Sequence, residues 1–285
     1  MKDLVTVITI CYNVENEIER TMRSVLEQTY NSIEYLIIDG GSKDKTCSNA
    51  KALISQHSDR DVKIYSEPDR GIYDAMNKGI KLATGDWVIF MNSGDCFYNE
   101  NVLSNLMLEL TPDIDILRGN IIRRYPKFDV KSVGVTSQSP GVIDMINNTF
   151  HHQACLIKRK LFEDYGYYSL DYKLCSDWIF FYDCVVLHKI KSKYVDITVA
   201  LFSMDGASSN NALQYNKEQE RYLTQLYGVE LYGLLKELQV YRKNRIFTSY
   251  YKIRTRFMES LSPSAFNKLL TLKRFVCKII GKNVN

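Results

Sequence analysis

Strand-like and helix-like stretches alternate through the first hundred residues, and this constrains the fold more than any other feature. Residues 5–11, 35–38, 62–65 and 87–91 are short, apolar-rich runs with the composition of buried strands. Between them, residues 17–27, 44–56 and 72–83 carry apolar side chains at helical spacing. In the first of these, Ile18, Met22, Val25 and Leu26 share one face. Alternation on this length scale builds βαβ units, so the expected fold is α/β, Rossmann-like, with a mostly parallel sheet and helices on both faces. Ligands of such sheets bind beyond the carboxyl ends of the strands. The polar segments Tyr12-Asn13, Asp39-Gly40-Gly41-Ser42, Glu67-Pro68-Asp69-Arg70-Gly71 and Asn92-Ser93-Gly94-Asp95 each follow a strand, so the pattern gathers them at one crevice.

The 285 residues suffice for one large domain plus a tail. From about residue 111 to 209 the pattern is less regular, with strands expected near 114–123 and 198–202. Residues 213–282 read as helices. The chain therefore divides into a domain over 1–212 and a helical, basic extension over 213–285. Within the domain, the regular half over 1–100 carries the crevice, and the less regular half over 101–212 is expected to face it. The seven cysteines are odd in number and form no C-x-x-C pair, which fits a reduced cytoplasmic compartment better than a disulfide framework or a zinc ribbon. No apolar run approaches the roughly 18 residues that span a bilayer. The opening residues are too short and β-branched for a signal peptide and read as a first strand.

Charge is unevenly spread. The chain carries +4 overall, yet from Lys236 to Lys282 there are 12 Lys and Arg against two acids, a net of +10. Leu269, Leu272, Val276 and Ile279 add an apolar stripe, giving a basic amphipathic helix. A solvated face is the plain reading. A peripheral position on the inner face of the cell membrane accounts for both the charge and the stripe. No nucleic-acid motif accompanies them, so nucleic acid is not expected as a partner.

The segments after the strands suggest a nucleoside diphosphate and a divalent metal. Hard cations take carboxylate and amide oxygens, with substrate phosphates completing the shell. Asp95 is the leading metal ligand and Asn92 its helper; a simple turn explains the same residues. Arg70, within Asp69-Arg70-Gly71, offers a planar fork of donors to phosphate. Asp74 and Asn77 lie three apart on the next helix and share a face, and an acid in a first helical turn is also favoured by the dipole. Asp39 can accept from the imide N–H of a base on which Tyr12 stacks, or the segment is a tight turn with Asp44 as a helix cap. In the second half, Asp177 stands beside Trp178. Shielding from water there should raise its proton affinity, which suits a general base, although Asp before an apolar run is also a common helix cap. The His151-His152 pair has no third ligand at zinc-like spacing.

Together these motifs resemble the family 2 glycosyltransferases of GT-A fold, and most of all the bacterial branch that builds colanic acid, capsule and O-antigen polysaccharides. Val7-Ile8-Thr9-Ile10-Cys11-Tyr12-Asn13, Tyr35-Leu36-Ile37-Ile38-Asp39-Gly40-Gly41-Ser42-Lys43-Asp44 and the stretches 66–79 and 90–97 carry the likeness. His152-Gln153-Ala154, Ser176-Asp177-Trp178 and residues 202–208 extend it to about 4–210. The resemblance implies an inverting transferase that uses a UDP- or GDP-sugar and Mg or Mn. Tyr12 and Asp39 would contact the base, and Arg70 the base or the diphosphate, with Asp69, Asp74 and Asn77 beside it. Asn92 and Asp95 match the metal motif, Asp177 the catalytic carboxylate, and His152 and Gln153, with Trp178, an element facing the donor or acceptor. Three departures stand out: Gly40 replaces a second acid, the metal motif has one carboxylate, and Ser176 replaces a Glu. The implied function is sugar transfer to a glycan or lipid-linked acceptor in bacterial surface polysaccharide synthesis. A membrane-associated scaffold that keeps the fold but binds metal poorly is the alternative. A nucleotidyltransferase would want a Gly-rich, basic loop where Tyr12-Asn13-Val14-Glu15 stands.

Overall fold

The computed structural model describes residues 3–146, 148–203 and 211–243. It forms two compact units, Met1–Gly228 and Val229–Asn285. The first begins with β1 (Val5–Cys11), α1 (Ile18–Leu26), β2 (Ile33–Asp39), α2 (Thr46–Gln56), β3 (Asp61–Ser66), α3 (Ile72–Leu82) and β4 (Trp87–Phe90). There follow β5 (Cys96–Phe97), α4 (Val102–Leu108), β6 (Ile116–Arg124), β7 (Asp129–Ser132), α5 (Val142–Met145), β8 (Cys155–Lys158), α6 (Lys160–Tyr165), α7 (Ser176–Tyr182), β9 (Ser192–Ser203) and α8 (Ala212–Tyr227). In the second unit, α9 covers Val229–Lys243.

The sheet runs β3-β2-β1-β4-β8-β6-β9-β5, with β7 added to β6. The first four strands are mutually parallel, as the alternating pattern predicts. Period-two alternation sorts their side chains. Val5, Val7, Tyr35 and Ile37 join the core that includes Ile18, Met22, Val25 and Leu26 of α1 and Ala50 and Leu53 of α2. Ile8 and Ile38 point to the other face, against α3. Helices therefore cover both faces, which is why β1, β2 and β4 are buried along nearly their whole length, while the edge strand β3 is not.

Register sets the rim. Cys11 pairs with Asp39, and Asp39 with Ser66, so β1, β2 and β3 end side by side. Beyond β4 the chain still follows β1, through Met91 N–H to Ile8 (2.9 Å) and Ser93 N–H to Ile10 (3.1 Å). The second half is mixed. Its β8 is antiparallel to β4, with Val88 opposite Ile157. The start of β8, and the single 3-10 turn His152–Ala154 before it, therefore lie at the carboxyl end of β4. The strands expected near 114–123 and 198–202 are β6 and the longer β9. Within the tail, α8, in the first unit, and α9, in the second, are helices, and the stripe from Leu269 to Ile279 lies outside the described residues. Among the described residues no helix is long and apolar enough to cross a membrane.

Gly79 lets α3 lie close on the sheet. A Cβ there would stand 2.6 Å from Ile8 Cγ2 and 3.2 Å from Ile38 Cγ1, both on strands that cannot easily move. Gly79→Ala gains about 1 kcal/mol of helix propensity but overpacks a filled layer at ~1–3 kcal/mol. We expect a net loss of about 1 kcal/mol in urea unfolding; an unchanged or raised midpoint would contradict this packing.

Candidate active site

At the β1–β3 side of the rim, Asp39 is fully buried. Its carboxylate accepts from the backbone N–H groups of Gly41 and Ser42 (both 3.1 Å), from Ser66 Oγ (2.6 Å) and from Ser42 Oγ. These donors hold its pKa below the ordinary carboxylate value although burial works the other way. Asp39 thus shapes the loop after β2. The acceptor beside it is the half-buried Asp69, whose Oδ2 would meet a Cβ at position 40. The Tyr12 ring lies 3.3 Å from that same point, and Tyr12 is 58% exposed. The absent side chain at Gly40 is therefore space occupied by Asp69 next to Tyr12. Asn13 takes a positive φ of 51° and clamps the same loop, accepting from Lys43 N–H at 2.8 Å.

Gly71, at a φ of 117°, turns the chain into α3. Asp74 accepts from Arg70 N–H at 2.9 Å and pairs with its guanidinium at 3.4 Å. The backbone bond and this cation hold Asp74 low. Arg70 stays 76% exposed, with donors free for a phosphate arriving at the helix N-terminus. Asn77 is differently employed. It is buried, and both ends of its amide bind the Tyr168 backbone, at 2.8 and 3.0 Å, joining α3 to the second half.

The turn 92–95 is held from below by Thr21, which accepts from Gly94 N–H (3.0 Å) and donates to the Asp95 carbonyl (2.8 Å). Asp95 is 5% exposed. It accepts from Ser203 N–H at 3.2 Å and from Gln153. Burial pushes its pKa up to about 6, against the pull of His152 and Arg20. Asn92 Oδ1 is buried with no hydrogen-bond partner. No group of three or more His, Cys, Asp or Glu suited to a metal occurs among the described residues. An under-neutralised buried carboxylate beside an unpartnered amide oxygen nevertheless fits a hard cation whose remaining ligands come from substrate.

Asp177 lies in the first turn of α7, but its side chain does not cap the helix. Its Oδ1 accepts from Tyr73 Oη at 2.7 Å, and its Oδ2 meets His152 Nδ1 at 3.2 Å. The other ring nitrogen of His152 lies 3.2 Å from the Asn92 amide nitrogen. One chain of contacts thus runs from Asp177 to the turn 92–95. The expected rise in proton affinity is corrected here. Burial does push Asp177 up, but the hydrogen bonds from His152 and Tyr73 outweigh it and leave the pKa below the ordinary value. Trp178 is wholly buried, its Nε1 donating to the carbonyls of Met145 (3.1 Å) and Asn148 (2.8 Å), so it packs beneath the site. Tyr73 and Arg20 were not singled out from sequence. Tyr73 falls on the apolar stripe of α3 with Met76, Asn77 and Ile80, and nothing local marks its hydroxyl as reaching residue 177.

A parallel half-sheet with a polar rim, an acidic turn after β4 and a buried carboxylate from the second half make up a GT-A fold. The chain belongs to glycosyl transferase family 2, whose profile matches residues 6–166. It is 30% identical over 212 residues to a PGL/p-HBAD biosynthesis glycosyltransferase of Mycobacterium bovis, covering 72% of this chain and 78% of that one. Among solved structures it is similar to the mannosyltransferase PcManGT from Pyrobaculum calidifontis in complex with GDP-Man and Mn2+. The TM-score is 0.65 and the identity 17%, with 97% and 81% of the two chains covered. S. aureus TarS 1-349 in complex with UDP follows at a TM-score of 0.59 and 19% identity, and the match spans 70% of this chain and 60% of that one.

Asp95 yields a stability prediction. Its folded pKa, about 6, exceeds the ordinary 3.8, so the folded state holds the proton more tightly than the unfolded chain. Ionised Asp95 therefore costs stability at high pH, by about 3 kcal/mol. Asp95→Asn should stabilise the metal-free protein by up to that amount at pH 8, with the gain shrinking from pH 6 to pH 4 and absent below. Equal unfolding midpoints at pH 8 would contradict the burial of this charge.

Proposed function

We propose that this protein is an inverting, metal-assisted glycosyltransferase that moves a sugar from a UDP- or GDP-sugar to a hydroxyl of a glycan or lipid-linked acceptor in bacterial surface polysaccharide synthesis. The observation that carries this reading is the buried, ionised Asp177 joined through His152 to the turn that holds Asp95. Family membership supports glycosyl transfer, and the likeness to proteins solved with UDP and with GDP-Man supports a nucleotide-sugar donor.

The reaction is one in-line displacement. Tyr12 stacks on the base, and Asp69 accepts from its edge beside Gly40. Asp39 and Asn77 keep their neighbouring loops in register. Arg70 and the start of α3 take diphosphate oxygens. Asp95 and Asn92 Oδ1 would hold a Mg or Mn ion, whose chemistry is neutralisation of charge on the leaving diphosphate. Asp177 takes the proton from the acceptor hydroxyl, whose oxygen forms a bond to the anomeric carbon while the bond to the diphosphate breaks and its electron pair leaves with the diphosphate. One displacement inverts the anomeric configuration. His152 and Gln153 tie the carboxylates of the two halves together. The +10 segment from Lys236 to Lys282 supports a tail that meets an anionic membrane surface and keeps the enzyme peripheral on the inner face.

Asp177→Asn tests the reading. We expect kcat to fall about a thousandfold with nucleotide affinity retained; wild-type turnover would remove Asp177 from this role. Tyr73→Phe keeps the base and removes one donor. The Asp177 pKa should then rise, and the acid limb of the kcat profile should move to higher pH.

A further inference from the structure

We propose that the cavity beside the turn 92–95 is a subsite for a phosphoryl group carried by the acceptor. This inference rests on the transferase reading and adds a substrate class to it. The cavity has a volume of about 280 Å³, at the lower edge of ligand-pocket sizes. Arg20, Gly94 and Cys96 form one side of it, and Arg124, Tyr125 and Phe202 another. Among the described residues that line it, two are arginines and none carries a carboxylate. Such a space favours an anion, and the planar donor fork of Arg matches phosphate oxygens in particular.

The position is built in by register. Arg124, the last residue of β6, pairs with Ser203, the last residue of β9. Ser203 N–H in turn donates to Asp95 at 3.2 Å. Arg20 reaches the same turn from α1, its Nη2 donating to the Gly94 carbonyl at 2.7 Å. The cavity therefore abuts the metal turn from the side of β5, β6 and β9. The donor-side groups Tyr12, Asp69 and Arg70 all belong to the loops after β1 and β3, and none of them lines it. The donor diphosphate already has Arg70 and the start of α3, so two further cations here are surplus to the donor and available to the acceptor.

Arg124 can change partners at little cost. Arg124 meets Asp129 only at 3.8 Å, with both side chains about half exposed, and such pairs contribute little. The ring of Tyr125 stacks on Phe128 at 4.9 Å between centroids, which stiffens the wall that a sugar next to the phosphate would touch. An acceptor with a phosphate close to its reacting hydroxyl is thus recognised at both ends, by Asp177 and by this pair of arginines. An uncharged glycan leaves the arginines unused.

Calorimetry with the full-length protein tests this, using inorganic pyrophosphate as probe with and without saturating UDP or GDP and Mg. In wild type, pyrophosphate should still bind when nucleotide is saturating. Arg124→Gln should weaken that binding about tenfold and leave nucleotide affinity unchanged. Absence of the second site in wild type would overturn the proposal, as would a variant that weakens nucleotide as much as pyrophosphate. If no nucleotide binds wild type, the donor reading fails by itself, and the nucleotide-free arm still decides whether Arg124 holds the probe. Repeating the titration with monomeric dihexanoyl phosphatidate separates the sources. Tighter binding than pyrophosphate assigns the phosphoryl group to a lipid carrier, and equal binding assigns it to a soluble phosphate.

Discussion

Asp177 stays ionised where burial alone would protonate it, because Tyr73 and His152 satisfy its two oxygens. The other features of the site depend on that arrangement. A protonated Asp177 could not accept a proton from an acceptor, and an unanchored one would turn toward its own helix as a cap. The contact continues from His152 to Asn92, so the base and the turn that carries Asp95 belong to one hydrogen-bonded unit. The two carboxylates have opposite electrostatics. Asp177 is held low by its donors, while Asp95 is pushed up by burial that a cation would relieve.

The fold creates this unit by reversing one strand. The parallel series β3-β2-β1-β4 brings its loops to one rim, and the antiparallel entry of β8 against β4 delivers His152 and Gln153 to that rim. Asn77 on α3 then fastens the loop at Tyr168, and Tyr73, one turn earlier on the same helix, reaches Asp177. The helix that begins at Gly71, beside Arg70, therefore also orients Asp177. Gly79 sets how closely that helix lies on the sheet.

Much of this was legible in the chain. Long apolar strands with helical stretches between them fix βαβ units, and the polar residues following each strand can then fall only at the carboxyl rim. Asp95, Arg70 and Tyr12 are legible for that reason. The second half was less so. Short strands such as β5, β7 and β8 carry too few residues for a periodic signal, and their pairing depends on distant partners. The same limit hid Tyr73 and Arg20, whose roles arise from tertiary contacts 104 and 74 residues away. The proton affinity of Asp177 was read from its neighbour Trp178 alone, and the donors that reverse it come from α3 and the turn before β8. Asp39 and Asp69 show a related effect: the end of the second strand points to Asp39 as a base contact, and only the loop fold shows that Asp39 is buried and that Asp69 lies over Gly40.

The central claim is that His152 donates through Nδ1 to Asp177 and accepts through Nε2 from the Asn92 amide, leaving Asn92 Oδ1 free for a cation. Nitrogen-15 NMR of the histidine side chains, with His152 assigned by substitution, reads this directly. The account predicts a neutral ring with its proton on Nδ1 and an unprotonated, hydrogen-bonded Nε2. A proton on Nε2 would mean that Asn92 presents its oxygen to the histidine instead, which would contradict both the metal site and the link between the two halves.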